Sequence, residues 1–166
     1  MLDRALMIDT VKKTTNNLFI KMLSMELIAG EPITEKNALP LTAHVTAVIG
    51  FAGYYRGGMG IYLPRALALK MVAAMLGVPV DQVTIDKMPA DVKDAIGEIV
   101  NIIAGGAKAE LSKQGITFDL SLPTVIVGEK FQVYVDNNPE RVQAVIPFTA
   151  GEDQLFVECN IEKTNK

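Results

Sequence analysis

An α+β fold, with long helices packed on one face of a mainly antiparallel sheet, is what this 166-residue chain predicts. Three observations carry the prediction. Two long stretches place apolar residues at helical spacing, several segments rich in β-branched residues are separated by Gly, Asn and Asp, and the order helix, strand, strand occurs in residues 3–63 and loosely again in residues 91–161.

Taken in order, residues 3–28 carry Leu6, Val11, Leu18, Met22 and Met25 at mostly helical spacing, and Gly30 follows as a stop signal. This predicts a first long helix. Residues 41–51 are rich in β-branched side chains and lead through Gly53, Gly57 and Gly58 into residues 59–63, which predicts two strands joined by a glycine turn. Pro64 suits the first position of a short helix with Leu67, Met71 and Met75 as its apolar stripe, closed by Gly77. Pro79 and Pro89 bracket a polar connector. Asp91 then stands as an N-cap, with Asp94 at capping-box spacing, for a third helix running to about Gln114 before Gly115. Residues 116–127, 131–135, 142–148 and 155–161 read as strands, so the C-terminal third is expected to be a meander.

Composition narrows the function classes. With 49% hydrophobic and 21% charged residues the chain is globular, and at this length it is most simply one domain, residues 1–166, able to bury a real core. A net charge of −3 gives no general attraction for nucleic acid or anionic lipid. The start of the chain lacks a signal-peptide core, and no apolar run reaches the roughly 18 residues of a membrane span. Cys159 is the only cysteine, which excludes an intrachain disulfide and makes a reducing cytoplasm the expected home.

The most informative stretch is Asp94, Glu98 and Asn101 on the third helix, with Pro123 beyond it. At about 100° per residue, with Asp94 at zero, Glu98 falls near 40°, Asn101 near −20°, Gly105 near 20° and Lys108 near −40°. Val92, Ile96, Ile99, Val100, Ile103, Ala107 and Leu111 fall between about 140° and 260°, and form the stripe that must be buried. The acid and the amide therefore face outward, without a structural reason to be there.

In this pattern of Asp94, Glu98, Asn101 and Pro123, and in the segments around it at residues 95–109 and 121–128, the chain resembles the CheC/CheX/FliY family of chemotaxis phosphatases, most closely its CheX branch. The resemblance in element order extends over nearly the whole chain. It implies an enzyme that hydrolyses the aspartyl phosphate of a CheY-like response regulator and works as a homodimer joined by sheet edges. It also implies that Asn101 positions the attacking water and that Glu98 pairs with the receiver's active-site lysine. No cofactor is expected in this chain, because Mg²⁺ would be held by the receiver. Asp94 and Gly105 lie on the same stripe, at positions where Asp94 could touch the partner's rim and Gly105 would let its backbone approach. The other class of function on this pattern is a non-catalytic module that holds a receiver domain or a flagellar-switch component; the intact acid–amide pair favours the enzyme.

Other constellations carry less. Asp9, Lys13 and Asn16 repeat the spacing with Lys13 in the acid's place, and Ala38 stands where the proline would be, so a duplicated unit would retain the pair only in its second copy. Eight residues of low specificity are equally well explained by chance. His44, the only histidine, sits on a strand without ligand spacing to Cys159 and reads as a surface or edge residue, and no metal site is expected. The run Gly57, Gly58, Met59, Gly60 lacks the Lys-Ser/Thr end of a phosphate loop and reads as hairpin turn. The eight methionines read as core filler, and Tyr54 and Tyr55 as aromatics at a hairpin tip, equally able to touch a partner or to pack at the strand ends.

Overall fold

The computed structural model describes residues 2–34, 41–133 and 141–164. Helix α1 spans Arg4–Met22, and Asp3 caps it by accepting the Leu6 N–H at 2.8 Å. It ends short of the expected residue 28. Leu23 is the C-cap and Ser24 turns the chain in the left-handed region, at φ 53°, although Leu23 and Leu27 both remain buried. Apolar spacing thus continued past the helix in a different backbone, and Ile28–Ala29 form a short strand, β1. Gly30 is no helix stop: its N–H donates to the Pro147 carbonyl at 2.8 Å, where the two backbones run close.

Strands β2, Leu41–Ala52, and β3, Tyr55–Leu63, form the expected hairpin, but the turn is confined to Gly53 and Tyr54. Gly57, Gly58 and Gly60 therefore lie inside β3, correcting their assignment to the turn. A Cβ on Gly58 would come within 2.9 Å of the Ile49 carbonyl oxygen, and one on Gly57 would collide with the backbone of Asn160. The glycines answer a close approach of neighbouring strands, which spacing does not reveal.

Helix α2 spans Arg65–Leu76, with Pro64 as its N-cap one position before the expected one, and Gly77 closes it at φ 67°. A single 3₁₀ turn, Val80–Gln82, sits in the connector. Helix α3 spans Pro89–Ser112, begins on Pro89 itself and has Met88 as N-cap, so Asp91 lies in the first turn and is not the cap. Proline at the first position needs no N–H partner, which moves the start two residues upstream of the acid. Four strands follow: β4 at Asp119–Leu120, β5 at Thr124–Val133, β6 at Val142–Ala150 and β7 at Asp153–Lys163.

All seven strands form one sheet in the order β1-β6-β7-β3-β2-β4, with β5 also paired to β2. The expected meander is corrected here. β6 and β7 form an antiparallel hairpin, but β5 pairs along β2, from Val48↔Thr124 to Leu41↔Val133, with β7, β3 and β2 between it and β6. The single strand expected over residues 116–127 is likewise broken. β4 and β5 both run along the outer side of β2, and the chain leaves the ladder between them at Ser121–Pro123. Phe131–Val133 of the strand expected at residues 131–135 belong to β5, and its last two residues lie outside the described residues.

The two halves are topologically equivalent. In α1-β1-β2-β3 and in α3-β5-β6-β7, the strand after the helix crosses to pair with the other half's hairpin, β1 on β6 and β5 on β2, while β3 and β7 meet antiparallel in the centre. In the first half, Lys13, in the acid's place, pairs with Glu110 at 3.2 Å, and Ala38, in the proline's place, lies outside the described residues.

The helices lie on one face of the sheet, where the inner residues Val45, Ala47, Ile49, Met59, Ile61, Leu63, Val157 and Ile161 meet Met7, Phe19, Met71, Ile96, Ile99 and Ile103. Met7, Met59 and Met71 are core residues as expected, whereas Met22 is exposed. Tyr54 and Tyr55 pack edge to face at 5.3 Å, and the Lys163 ammonium sits over the Tyr54 ring, which is strand-end packing. His44 is half-buried on β2, an interior strand, so it is not an edge residue. Among the described residues no helix is long and apolar enough to cross a membrane.

Candidate active site

The two stripes of α3 fall as the helical arithmetic requires. Val92, Ile96, Ile99, Val100, Ile103, Ala107 and Leu111 are all buried against the sheet and the neighbouring helices, whereas Asp94 and Glu98 are exposed and Asn101, Gly105 and Lys108 are half-buried. The wet stripe forms one wall of an open cleft of about 710 Å³. Lys93, Asp94, Gly97, Glu98 and Asn101 line it from the helix, and Leu122, Pro123, Thr124 and Val125 from the sheet edge. Pro123, distant by spacing, is thereby brought to Glu98 and Asn101.

Gly97 lets the two walls meet. A Cβ there would lie 3.4 Å from Pro123 Cγ and 3.7 Å from a Val125 methyl, so residue 97 packs on the start of β5 and not on a neighbouring helix. Gly106 does face the neighbouring helix, with a Cβ position 3.0 Å from the Thr14 methyl of α1. Gly105 has nothing within 4 Å of its Cβ position, which leaves the helix surface open beyond Asn101.

The cleft's side chains differ in how they are held. Lys93 and Asp94 make an exposed ion pair at 3.5 Å, and Lys108 reaches out of the stripe to Asp119 at 3.0 Å. Among the described residues neither Glu98 nor Asn101 has a hydrogen-bond or ion-pair partner. A carboxylate and an amide a helical turn apart thus share one concave surface, and both remain free to bind something outside the chain.

Cys159 is buried, and burial pushes its thiol up, away from the reactive thiolate. His44 has its Nδ1 buried without a partner. Among the described residues no group of three or more His, Cys, Asp or Glu side chains is placed to hold a metal ion.

The family model described as chemotaxis phosphatase CheX matches residues 45–149. This chain belongs to the CheX family. The CheY-P phosphatase CheX of Thermotoga maritima is 29% identical over 112 residues, which cover 68% of this chain and 69% of that protein. Among solved structures, a chemotaxis protein CheX from Desulfovibrio desulfuricans superposes with a TM-score of 0.81 at 29% identity, covering 94% of this chain and 99% of that one. The CheX of Borrelia burgdorferi, solved as a CheX-CheY-BeF₃-Mg²⁺ complex, gives 0.75 at 23% identity over 94% and 97% of the two chains, a likeness of fold. The α+β architecture, helices on one face of an antiparallel sheet, is that of this family.

Five cleft residues escaped sequence reasoning: Lys93, Gly97, Leu122, Thr124 and Val125. For the last three the signal was Leu122-Pro123 itself, since proline donates no ladder hydrogen bond and the residue before it is restricted, which marks a break in a run otherwise read as one strand.

Proposed function

We propose that this protein hydrolyses the aspartyl phosphate of a CheY-like response regulator, with Asn101 positioning the attacking water and Glu98 anchoring the receiver. Membership of the CheX family and the name of the Thermotoga maritima relative support the activity. The observation that carries the site is the unpartnered pair Glu98 and Asn101 in one open cleft beside Pro123.

An acyl phosphate has a good leaving group. Hydrolysis forms a bond from water oxygen to phosphorus, breaks the bond from phosphorus to the aspartyl oxygen, and releases inorganic phosphate and a free carboxylate. The work left to a helper is to hold the water in line. Asn101 suits this because its amide both donates and accepts and brings no negative charge to the phosphoryl oxygens. Glu98 does bring one, and a carboxylate beside a phosphoryl group is repelled unless a cation lies between them. The receiver's active-site lysine supplies that cation, so pairing with it makes Glu98 an anchor and sets the docking register. Mg²⁺ belongs to the receiver's side of the complex. Asp94 stands at the rim and Gly105 leaves room for the receiver's backbone.

The test mixes the purified protein with phosphorylated CheY and follows phosphate loss. Asn101→Ala should slow hydrolysis on the order of 10²-fold or more while folding stays intact. Glu98→Ala should chiefly weaken docking and raise KM. An unchanged decay rate with the parent protein would instead mean a binding module that merely holds a receiver. We further propose a homodimer joined by sheet edges in the cytoplasm; the exposed Ile126 and Val127 on β5, a strand at the margin of the sheet, support the first.

A further inference from the structure

We infer that Leu122 is a preorganised apolar anchor for the phosphorylated receiver domain. This rests on the reading of the cleft as the receiver's docking site. Leu122 is 89% exposed, more than any other large hydrophobic side chain among the described residues, and it lines the same cleft as Glu98 and Asn101. So exposed a side chain adds little burial to the fold, and what sets it apart from other exposed apolar residues is its place in the cleft.

The chain around it is held on both sides. Before it, Ser121 exchanges two hydrogen bonds with Gly50 of β2: the Gly50 N–H donates to Ser121 Oγ at 2.8 Å, and the Ser121 N–H donates to the Gly50 carbonyl at 2.9 Å. Ser121 Oγ also donates to the Leu122 carbonyl at 3.0 Å, fixing the peptide that carries the leucine. After it, Pro123 fixes its own φ and packs over Gly97 of α3. The chain leaves the ladder at residues 121–123 and returns at Thr124, and at the apex of that excursion the leucine points into solvent beside the acid–amide pair.

A side chain presented on a backbone clamped at both ends loses little further freedom on binding, which is what makes an apolar contact effective. It also complements the polar pair. Glu98 is screened by salt and Asn101 is reserved for water, whereas an apolar knob at the rim adds affinity without facing the phosphoryl group. The occupant is the receiver because the knob is continuous with the proposed catalytic surface: a body that brings its phosphate to Asn101 covers Leu122 as well.

Steady-state dephosphorylation of phosphorylated CheY, together with binding of CheY carrying BeF₃⁻ and Mg²⁺, separates the possibilities. Leu122→Ser should raise KM and the dissociation constant about tenfold to a hundredfold, the scale of burying one leucine. It should leave kcat within about twofold and the thermal midpoint unchanged, because the residue is solvent-exposed. Leu122→Met should restore most of the affinity. Identical KM and binding in parent and Leu122→Ser would overturn the anchor even with hydrolysis intact, and so would a fall in kcat at constant KM. If the parent binds CheY in a Leu122-dependent way without accelerating phosphate loss, the anchor stands and the phosphatase reading falls.

Discussion

Glu158 shows how a single residue on the helix-free face of the sheet is balanced between burial and its neighbours. It is 8% exposed, accepts from Asn160 Nδ2 at 2.7 Å, and lies at a long 3.5 Å from the Tyr62 hydroxyl. Burial raises its carboxyl above the ordinary range, and the hydrogen bonds from Asn160 and Tyr62 and the charge of Arg141 only partly counter it. The same burial, with the Glu158 charge added, holds the Tyr62 phenol well above its usual range. A carboxyl raised in the folded state favours folding at low pH, where it is protonated in both states, and loses that advantage as pH climbs from its unfolded value of 4.5 through its folded one. Glu158→Gln, which keeps the shape and an acceptor for Asn160, should therefore be more stable than the parent at neutral pH. The two should converge below about pH 4. Thermal unfolding across pH checks this; a variant less stable at neutrality would mean that attraction to Arg141 outweighs the burial.

At the scale of the element, α3 carries two adjacent glycines that look alike in sequence and differ in structure. Gly105 has open space at its Cβ position, so Gly105→Ala should stabilise the helix by up to about 1 kcal/mol. Gly106 faces Thr14, whose hydroxyl donates to the Thr10 carbonyl at 3.0 Å and fixes the methyl that a new Cβ would meet at 3.0 Å. Gly106→Ala should destabilise by about 1–3 kcal/mol, the usual overpacking cost. Urea denaturation of both variants should thus give shifts of opposite sign. In the phosphatase assay Gly105→Ala should lower kcat/KM despite its greater stability, because the receiver's approach is narrowed. Equal activity in Gly105→Ala and the parent would remove residue 105 from the docking surface.

For the whole molecule, the sheet's two ends are unequal. At one end the two-residue β1 and an Ile33↔Val145 bridge cover β6, while at the other the ten-residue β5 joins the sheet through β2. Ile126 and Val127 on that strand are 49% and 43% exposed. A long, apolar edge invites a second strand, and association of two copies would close it. Sedimentation over a range of concentrations should give twice the monomer mass, and Ile126→Lys should shift it toward monomer. Monomer alone at every concentration would remove the proposed dimer.

Local pattern was enough for α2 and α3, for the β2–β3 and β6–β7 hairpins, and for the stripe that turns Asp94, Glu98 and Asn101 outward, because helical and strand periodicities are set by residues a few positions apart. Family resemblance on four residues then named the chemistry to expect. Three features depended on neighbours far along the chain. The end of α1 at Met22 is set by the need to lay Ile28 and Ala29 on β6. The place of Gly57 and Gly58 inside a strand is set by the backbones of β2 and β7. Residues 119–133 lie beside β2, and their excursion at Leu122 completes the cleft, because Ser121 bonds to Gly50 and Pro123 packs on Gly97. Sequence by itself determined which side chains face water on α3; only the tertiary structure decided what stands opposite them, since contacts between distant residues leave no period in the chain.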